Sequence, residues 1–300
     1  MRGLVIKSTG SSYIVRLDDG SDVECHIKGN FRIRCIRSTN PVAVGDYVQI
    51  EDGWIVDVEE RHNYIIRKAT NLSKESHILA ANIDQVALIV TVNHPITSTT
   101  FIDRFLATCE AYRVRALLIF NKLDLLTDDE LAQLAELRAL YESLGYQTLA
   151  ISAINGQLSD ISRLLSGKVT LLSGNSGVGK STLLNALFGK EMTRTGKISD
   201  AHDKGMHTTT FSEMYFLPDG AVIDTPGIKG FGSVDMQREE VSHYFRDIFH
   251  IGANCRFGNC THTGEPNCAV QQAVVEGTIA LSRYESYLSL LGDCDESKYR

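Results

Sequence analysis

Three hundred residues, 43% of them hydrophobic, are enough for two or three domains with cores of their own. A net charge of −7 excludes a protein that coats nucleic acid by global attraction, though not one with a local basic patch. No run of about 18 uncharged apolar residues occurs and the opening MRGLVIKSTGSSY carries no secretory pattern, so a cytoplasmic chain with no membrane span is expected, its seven cysteines being thiols or metal ligands.

Residues 1–67 read as short strands at 3–7, 13–17, 22–27, 46–50 and 54–58, separated by turn signals such as Asp19-Gly20 and Asp52-Gly53. Five strands at this spacing predict a small closed β-barrel of the OB-fold kind. From about residue 84 strands alternate with helices. Apolar β-branched runs at 84–92, 115–120, 148–151 and 168–172 suit buried parallel strands, with helices over 100–112, from Thr127-Asp128 with Leu131, Leu134, Leu137, Leu140 and Tyr141 on one face, up to Leu165, and from Lys180. Segments 211–216 and 221–223 read as an adjoining strand pair. The whole predicts an α/β doubly wound domain over 68–237. Beyond it, 238–249 and 269–291 read as helices around a turn-rich, cysteine-bearing loop, and 293–297 as an acidic tail, which makes 238–300 a mainly helical third domain.

Gly174-Asn175-Ser176-Gly177-Val178-Gly179-Lys180-Ser181 is a complete G-x-x-x-x-G-K-S phosphate loop in its required context, after a strand and before a helix. Successive N–H groups and the helix N-terminus suit the β-phosphate, Lys180 the β- and γ-phosphates during catalysis, and the Ser181 hydroxyl a magnesium ion; Thr182 completes the nucleotide set. The base is read elsewhere. Asn121-Lys122-Leu123-Asp124 is an N-K-x-D motif at a strand end, and a carboxylate at Asp124 accepts from both guanine N1 and N2, whereas adenine leaves it unpaired. Ser152-Ala153 at the next strand end fits a further guanine contact through a backbone N–H. Asp224-Thr225-Pro226-Gly227 supplies a second magnesium ligand in Asp224 and a γ-phosphate donor in Gly227. The first switch is expected in 205–210, where spacing does not choose among Thr208, Thr209 and Thr210.

The usual order of these motifs starts with the phosphate loop; here the base-reading motifs precede it, so the GTPase is circularly permuted. The second switch then runs directly into the C-terminal segment. Ile228 stands where many GTPases carry a water-orienting glutamine, which leaves His207 as the nearest candidate for that role, beside the alternative of a solvated loop histidine. Cys255-x4-Cys260-x-His262-x5-Cys268 gives three thiols and an imidazole in one loop, a closed structural zinc set.

A β-barrel, a permuted GTPase and a Cys3His segment with GNSGVGKS, HTTT, DTPG and NKLD together resemble the bacterial ribosome small-subunit-dependent GTPase A (RsgA) family over essentially the whole chain. The resemblance implies a late factor in small-subunit maturation, with slow intrinsic GTP hydrolysis stimulated by the subunit and release on hydrolysis. The expected partners are GTP, GDP, the small subunit and its rRNA, and the expected state is a monomer that binds one zinc ion, and magnesium with GTP. From the residues themselves, Lys28, Arg32, Arg34 and Arg37 interleaved with His26 and Phe31 form a basic connection where OB-folds contact nucleic acid, and Arg194, Lys197, Lys204 and Lys229 surround the switches. A signalling GTPase whose barrel binds a protein, and an RNA-binding zinc protein with vestigial turnover, are the competing readings.

Overall fold

The computed structural model describes residues 1–9, 12–27, 40–68, 76–156, 158–188, 212–225 and 236–296. His207 and the three switch threonines, Gly227, Ile228, Lys28, Phe31, Arg32, Arg34, Arg37, Arg194, Lys197, Lys204 and Lys229 lie outside the described residues.

The N-terminal strands β1 (Arg2–Ser8), β2 (Tyr13–Leu17), β3 (Asp22–Ile27), β4 (Tyr47–Glu51) and β5 (Trp54–Val58) run in the order β1-β2-β3-β5-β4, and β1 also pairs with β4, which closes the barrel. Alternation along the strands sends Val5, Val15, Cys25, Val48, Ile50 and Ile55 inward to its core. The barrel is an OB-like fold, as the strand spacing predicts.

A hairpin that the sequence reading does not separate follows: β6 (Tyr64–Lys68) against β7 (Ser76–Ala81). A boundary after residue 67 therefore falls inside β6. Asparagine side chains tie this hairpin to the barrel and close its open end by mimicking a strand edge. Asn40 exchanges two bonds with Ile78 (2.7 and 2.8 Å), Asn63 does the same with Ile83 (2.7 and 2.9 Å), and Asn82 donates to the Gly45 carbonyl at 2.9 Å.

The α/β domain comprises β8 (Gln85–Val90), α1 (Thr99–Ala111), β9 (Arg115–Phe120), α2 (Asp128–Ser143), β10 (Gln147–Ala150), α3 (Ser159–Leu165), β11 (Val169–Gly174), α4 (Lys180–Phe188), β12 (Glu213–Phe216) and β13 (Ala221–Asp224). Strands β10-β9-β8-β11-β13 are parallel and β12 is antiparallel at the side. On β8, Val86, Leu88 and Val90 join one core with α1 and α2, while Ala87 and Ile89 join the opposite core with α3 and α4. Such two-sided burial is why the run is apolar throughout rather than alternating. Helix α2 starts with a capping box, the Thr127 and Glu130 side chains each bonding the other's backbone N–H. It buries only Leu134 and Tyr141 fully; Leu131 is 41% exposed, so the apolar face is narrower than its leucine spacing predicts.

Among the described residues, β12 also pairs with β1, so barrel and α/β sheet form one eleven-stranded sheet. Beyond β13, a 3-10 helix (Arg238–Tyr244) precedes α5 (Arg246–Gly252), α6 (Ala269–Val275) and α7 (Leu281–Glu296). The helix expected over 269–291 is thus two helices. Residues 293–296 of the acidic segment expected as a tail form the last turn of α7, and Leu290, Leu291 and Cys294 are buried in the C-terminal core.

Candidate nucleotide site and metal centre

The chemistry-bearing motifs converge at the C-terminal ends of the parallel strands, where open α/β sheets collect ligands. The phosphate loop leaves β11 at Gly174, with φ +150°, and a Cβ there would lie 2.6 Å from the Ile89 carbonyl oxygen. Gly179 has φ +98°, and its Cβ would meet the Asn121 amide at 2.4 Å. Glycine is therefore needed on both counts, conformation and close approach. Lys180 folds back over the loop and donates to the carbonyls of Gly174 (2.5 Å) and Asn175 (3.3 Å). Burial lowers its pKa, against the opposing attraction of Asp224.

Asn121 joins the separated motifs. Its amide donates to the Val178 carbonyl of the phosphate loop at 2.9 Å, and its Oδ1 accepts from the Ala153 N–H at 3.0 Å. One buried side chain thus holds N-K-L-D, Ser152-Ala153 and the phosphate loop in one arrangement. Ser152 donates its hydroxyl to Asp124, whose carboxylate stays exposed and available to a base. Since Ala153 already donates to Asn121, a guanine carbonyl at Ala153 would share or take over that donor. Lys122 and Leu123 carry the turn: Lys122 sits at φ +69° and the Leu123 N–H donates to the Ile151 carbonyl at 3.2 Å. Ser181 and Thr182 lie exposed on the first turn of α4, while Asn175, Ser176 and Gly177 rim the loop and Val178 is buried beneath it. Asp224 is buried at the end of β13, in register with Leu172 of β11. A hydroxyl at Ser181 and a carboxylate at Asp224 are hard oxygen donors of the kind magnesium takes.

The metal centre is a separate construction. The ligand atoms of Cys255, Cys260, His262 and Cys268 all lie within 4.8 Å of one another. Tetrahedral zinc sets S–S separations near 3.8 Å and S–N separations near 3.6 Å. Here Cys255 Sγ is 3.9 Å from Cys268 Sγ, and His262 Nδ1 is 3.6 and 3.4 Å from those two sulfurs. The donor set and its spacing fit zinc. Burial pushes the Cys260 thiol up to about 12, raises Cys268 and lowers His262, which keeps the imidazole neutral for ligation and leaves the thiolates to be stabilised by a cation.

Glu265, which spacing did not single out, organises the ligand loop. Burial alone would raise its carboxyl, yet hydrogen bonds from the Thr261 hydroxyl and the N–H groups of Thr261 and Gly264 together hold it well below the usual carboxylate range. Tyr284 and Tyr287 of α7 donate to the carbonyls of His262 (2.6 Å) and Thr261 (2.7 Å).

Fold and site together define a P-loop protein of the GTPase class with circularly permuted motifs. The RsgA GTPase family model matches residues 58–234, and the RsgA N-terminal domain model matches residues 2–55. The chain is 59% identical to the small ribosomal subunit biogenesis GTPase RsgA of Phocaeicola vulgatus, covering 100% of this chain and 99% of that protein, and 56% identical to that of Porphyromonas gingivalis over the same shares. It superposes on the crystal structure of YjeQ from Thermotoga maritima with a TM-score of 0.74 at 33% identity, covering 98% of each chain. With YloQ, a circularly permuted GTPase, the TM-score is 0.73 at 30% identity, over 100% of this chain and 96% of that one. The chain belongs to the RsgA family and is a GTPase. No described helix is long and apolar enough to cross a membrane.

Proposed function

We propose that this GTPase acts late in maturation of the small ribosomal subunit, that the subunit stimulates its hydrolysis of GTP, and that hydrolysis releases it. The activity named for its relatives supports the subunit as partner. The observation that carries the guanine assignment is Asn121, which fastens the base motif to the phosphate loop and to Ala153. Asp124 and Ala153 then read the base. The loop 174–179 with Ser181 and Thr182 cradles the phosphates, and Lys180 offsets negative charge as it builds on the β- and γ-oxygens. Magnesium, held by Ser181 and Asp224, supplies charge neutralisation when bound. Gly227 donates to the γ-phosphate and His207 orients water once a partner has ordered the switch. The zinc ion is structural, one per monomer. The work divides among an RNA-contacting barrel (1–67), the GTPase domain (68–237) and a zinc-bearing docking domain (238–300), in the cytoplasm.

Two features favour coupling between partner and nucleotide. Strand β12, which lies in sequence between the two switch motifs, pairs with the barrel strand β1. Met236, just beyond the second switch motif, is buried in the C-terminal core. Reciprocity then requires the GTP-bound state to bind the subunit more tightly than the GDP-bound state, by about 10–100-fold for ordinary coupling energies. Co-sedimentation with small subunits should retain the chain with a non-hydrolysable GTP analogue and lose it with GDP. Equal retention in both states refutes the coupling. His207→Ala should keep GTP affinity and lower only the stimulated rate.

A further inference from the structure

The segment between β8 and α1, residues Thr91–Ser98, belongs to none of the nucleotide motifs, yet it touches two of them. It leaves the central strand of the α/β sheet beside the phosphate loop strand β11 and the base-motif strand β9. Internally it is closed by Thr91 and Thr97. The Thr91 N–H donates to Thr97 Oγ1 at 3.1 Å, the Thr97 N–H returns to the Thr91 carbonyl at 3.0 Å, and Thr91 Oγ1 donates to the Pro95 carbonyl at 2.5 Å. Outwardly, the Asn93 amide donates to Glu130 at 2.5 Å, and Glu130 is already fixed by the capping box of α2.

The closed loop presents one carbonyl to the guanine motif. Lys122 Nζ donates to the His94 carbonyl at 2.6 Å, while His94 itself adopts φ +60°, uncommon for a residue with a Cβ. The rest of the loop rests on the phosphate side: a Cβ at Gly177 would lie 3.5 Å from Pro95 Cδ. The Lys122 stem runs across the same gap, since a Cβ at Gly179 would lie 3.9 Å from Lys122 Cε. The stem therefore spans from the base motif, past the phosphate loop, to an anchored ammonium. A nucleotide with its base at Asp124 and its phosphates at 174–179 must lie along that stem.

We propose that the Thr91–Ser98 loop is a positioning bracket for the nucleotide, holding the Lys122 side chain as a fixed strut between the base-reading and phosphate-binding motifs, with Thr91 and Asn93 as its positioning residues. The inference rests on the guanine assignment above and extends it. A loop that merely joined β8 to α1 would need the Thr91–Thr97 closure alone. The bonds to Glu130 and Lys122 reach outward, and they fix where the strut ends. A lysine stem held straight presents a preformed apolar wall to ribose and base, and preformed walls slow release rather than speed capture.

The test is release of a fluorescent guanine nucleotide, mant-GDP, from the full chain and from Thr91→Val, Asn93→Ala, Lys122→Ala and the Thr91→Val/Lys122→Ala double variant, with melting temperature recorded for each. The proposal expects Thr91→Val and Asn93→Ala to speed release about 3–10-fold with melting unchanged, and Thr91→Val to add less than about twofold once Lys122 is alanine, because the two act through one contact. Thr91→Ser, which keeps the hydroxyl, should restore the parent rate. The same fold-change in both backgrounds, or no change in the parent, overturns the bracket. If the unmodified chain holds mant-ADP as well as mant-GDP, the guanine assignment itself falls, and the bracket falls with it.

Discussion

The GTPase sheet and its helices are joined to the rest of the molecule by two seams of different physical character. On the C-terminal side, Arg283 of α7 is 99% buried and pairs with Asp103 of α1 (2.7 Å) and Asp247 of α5 (2.9 Å), under the Phe245 ring and beside Tyr141, whose hydroxyl donates to Asp103. Burial raises the Asp103 carboxyl, opposed by Arg283 and by hydrogen bonds from Ser286, Arg283 and Tyr141. On the barrel side, the described residues of the β1–β12 seam hold the register pair Lys7 with Glu213, a 3.2 Å bond from the Ser8 N–H to the Ser212 carbonyl, and a Lys7–Glu213 ion pair about one-third exposed at each end. Arg16 over the Phe216 ring at 4.3 Å adds a further partly exposed contact. The first seam is fixed by groups that are costly to leave alone in a dry interior; the polar contacts of the second exchange readily with water, around an apolar contact in which Ile6 and Val44 share a buried cluster with Met214, Ala221 and Ile223. Helices and zinc segment should thus move as one body with the GTPase core, while the exposed polar pairing of β1 with β12, a strand set between the two switch motifs in sequence, is the part of the barrel seam free to adjust.

Breaking the metal centre should have the largest effect, since structural zinc binding is also folding energy. The purified chain should carry about one zinc per molecule, and Cys260→Ala should lose it and expose residues 250–270 to hydrogen exchange. Elemental analysis that finds no zinc in protein purified without chelators contradicts the assignment. Next comes the buried seam. Arg283→Ala leaves Asp103 and Asp247 without their cation and should cost about 3–5 kcal/mol in chemical unfolding. A loss under about 1 kcal/mol would place this seam with ordinary surface pairs. Smallest is the barrel seam: Glu213→Ala should cost no more than about 1 kcal/mol. It should nevertheless change the ratio of subunit affinities between GTP-analogue and GDP states. An unchanged ratio removes β12 from the coupling route.

These seams also mark where the sequence was and was not legible. Strands β1 to β5 could be read because turn pairs such as Asp19-Gly20 and Asp52-Gly53 separate them, and β8 because burial on both faces leaves a continuous apolar run. The phosphate-loop motif and the Cys3His cluster were legible because backbone curvature and ligand chemistry demand particular residue types at short spacing. Hairpin β6–β7 was missed: its partner contacts run through Asn40, Asn63 and Asn82, polar residues that look like loop until their amides replace a strand edge. The last turn of α7 was read as tail because its acidic residues hide one buried side chain, Cys294. Arg283 with Asp103 and Asp247, like Lys122 with His94, unites positions too far apart in the chain for any local pattern to join.

Base reading is tested by Asp124→Asn, which should weaken GTP binding and favour xanthosine nucleotides, whose 2-oxo group suits an amide donor; nucleotide competition measures it.

Whether the small ribosomal subunit speeds this enzyme, as proposed, is decided by GTP turnover of the full chain with and without purified subunits. Slow turnover alone, a rise of at least about tenfold with subunits, and none in Lys180→Ala are the predicted results. Turnover by the unmodified chain that is identical with and without subunits would rule out the subunit as activator.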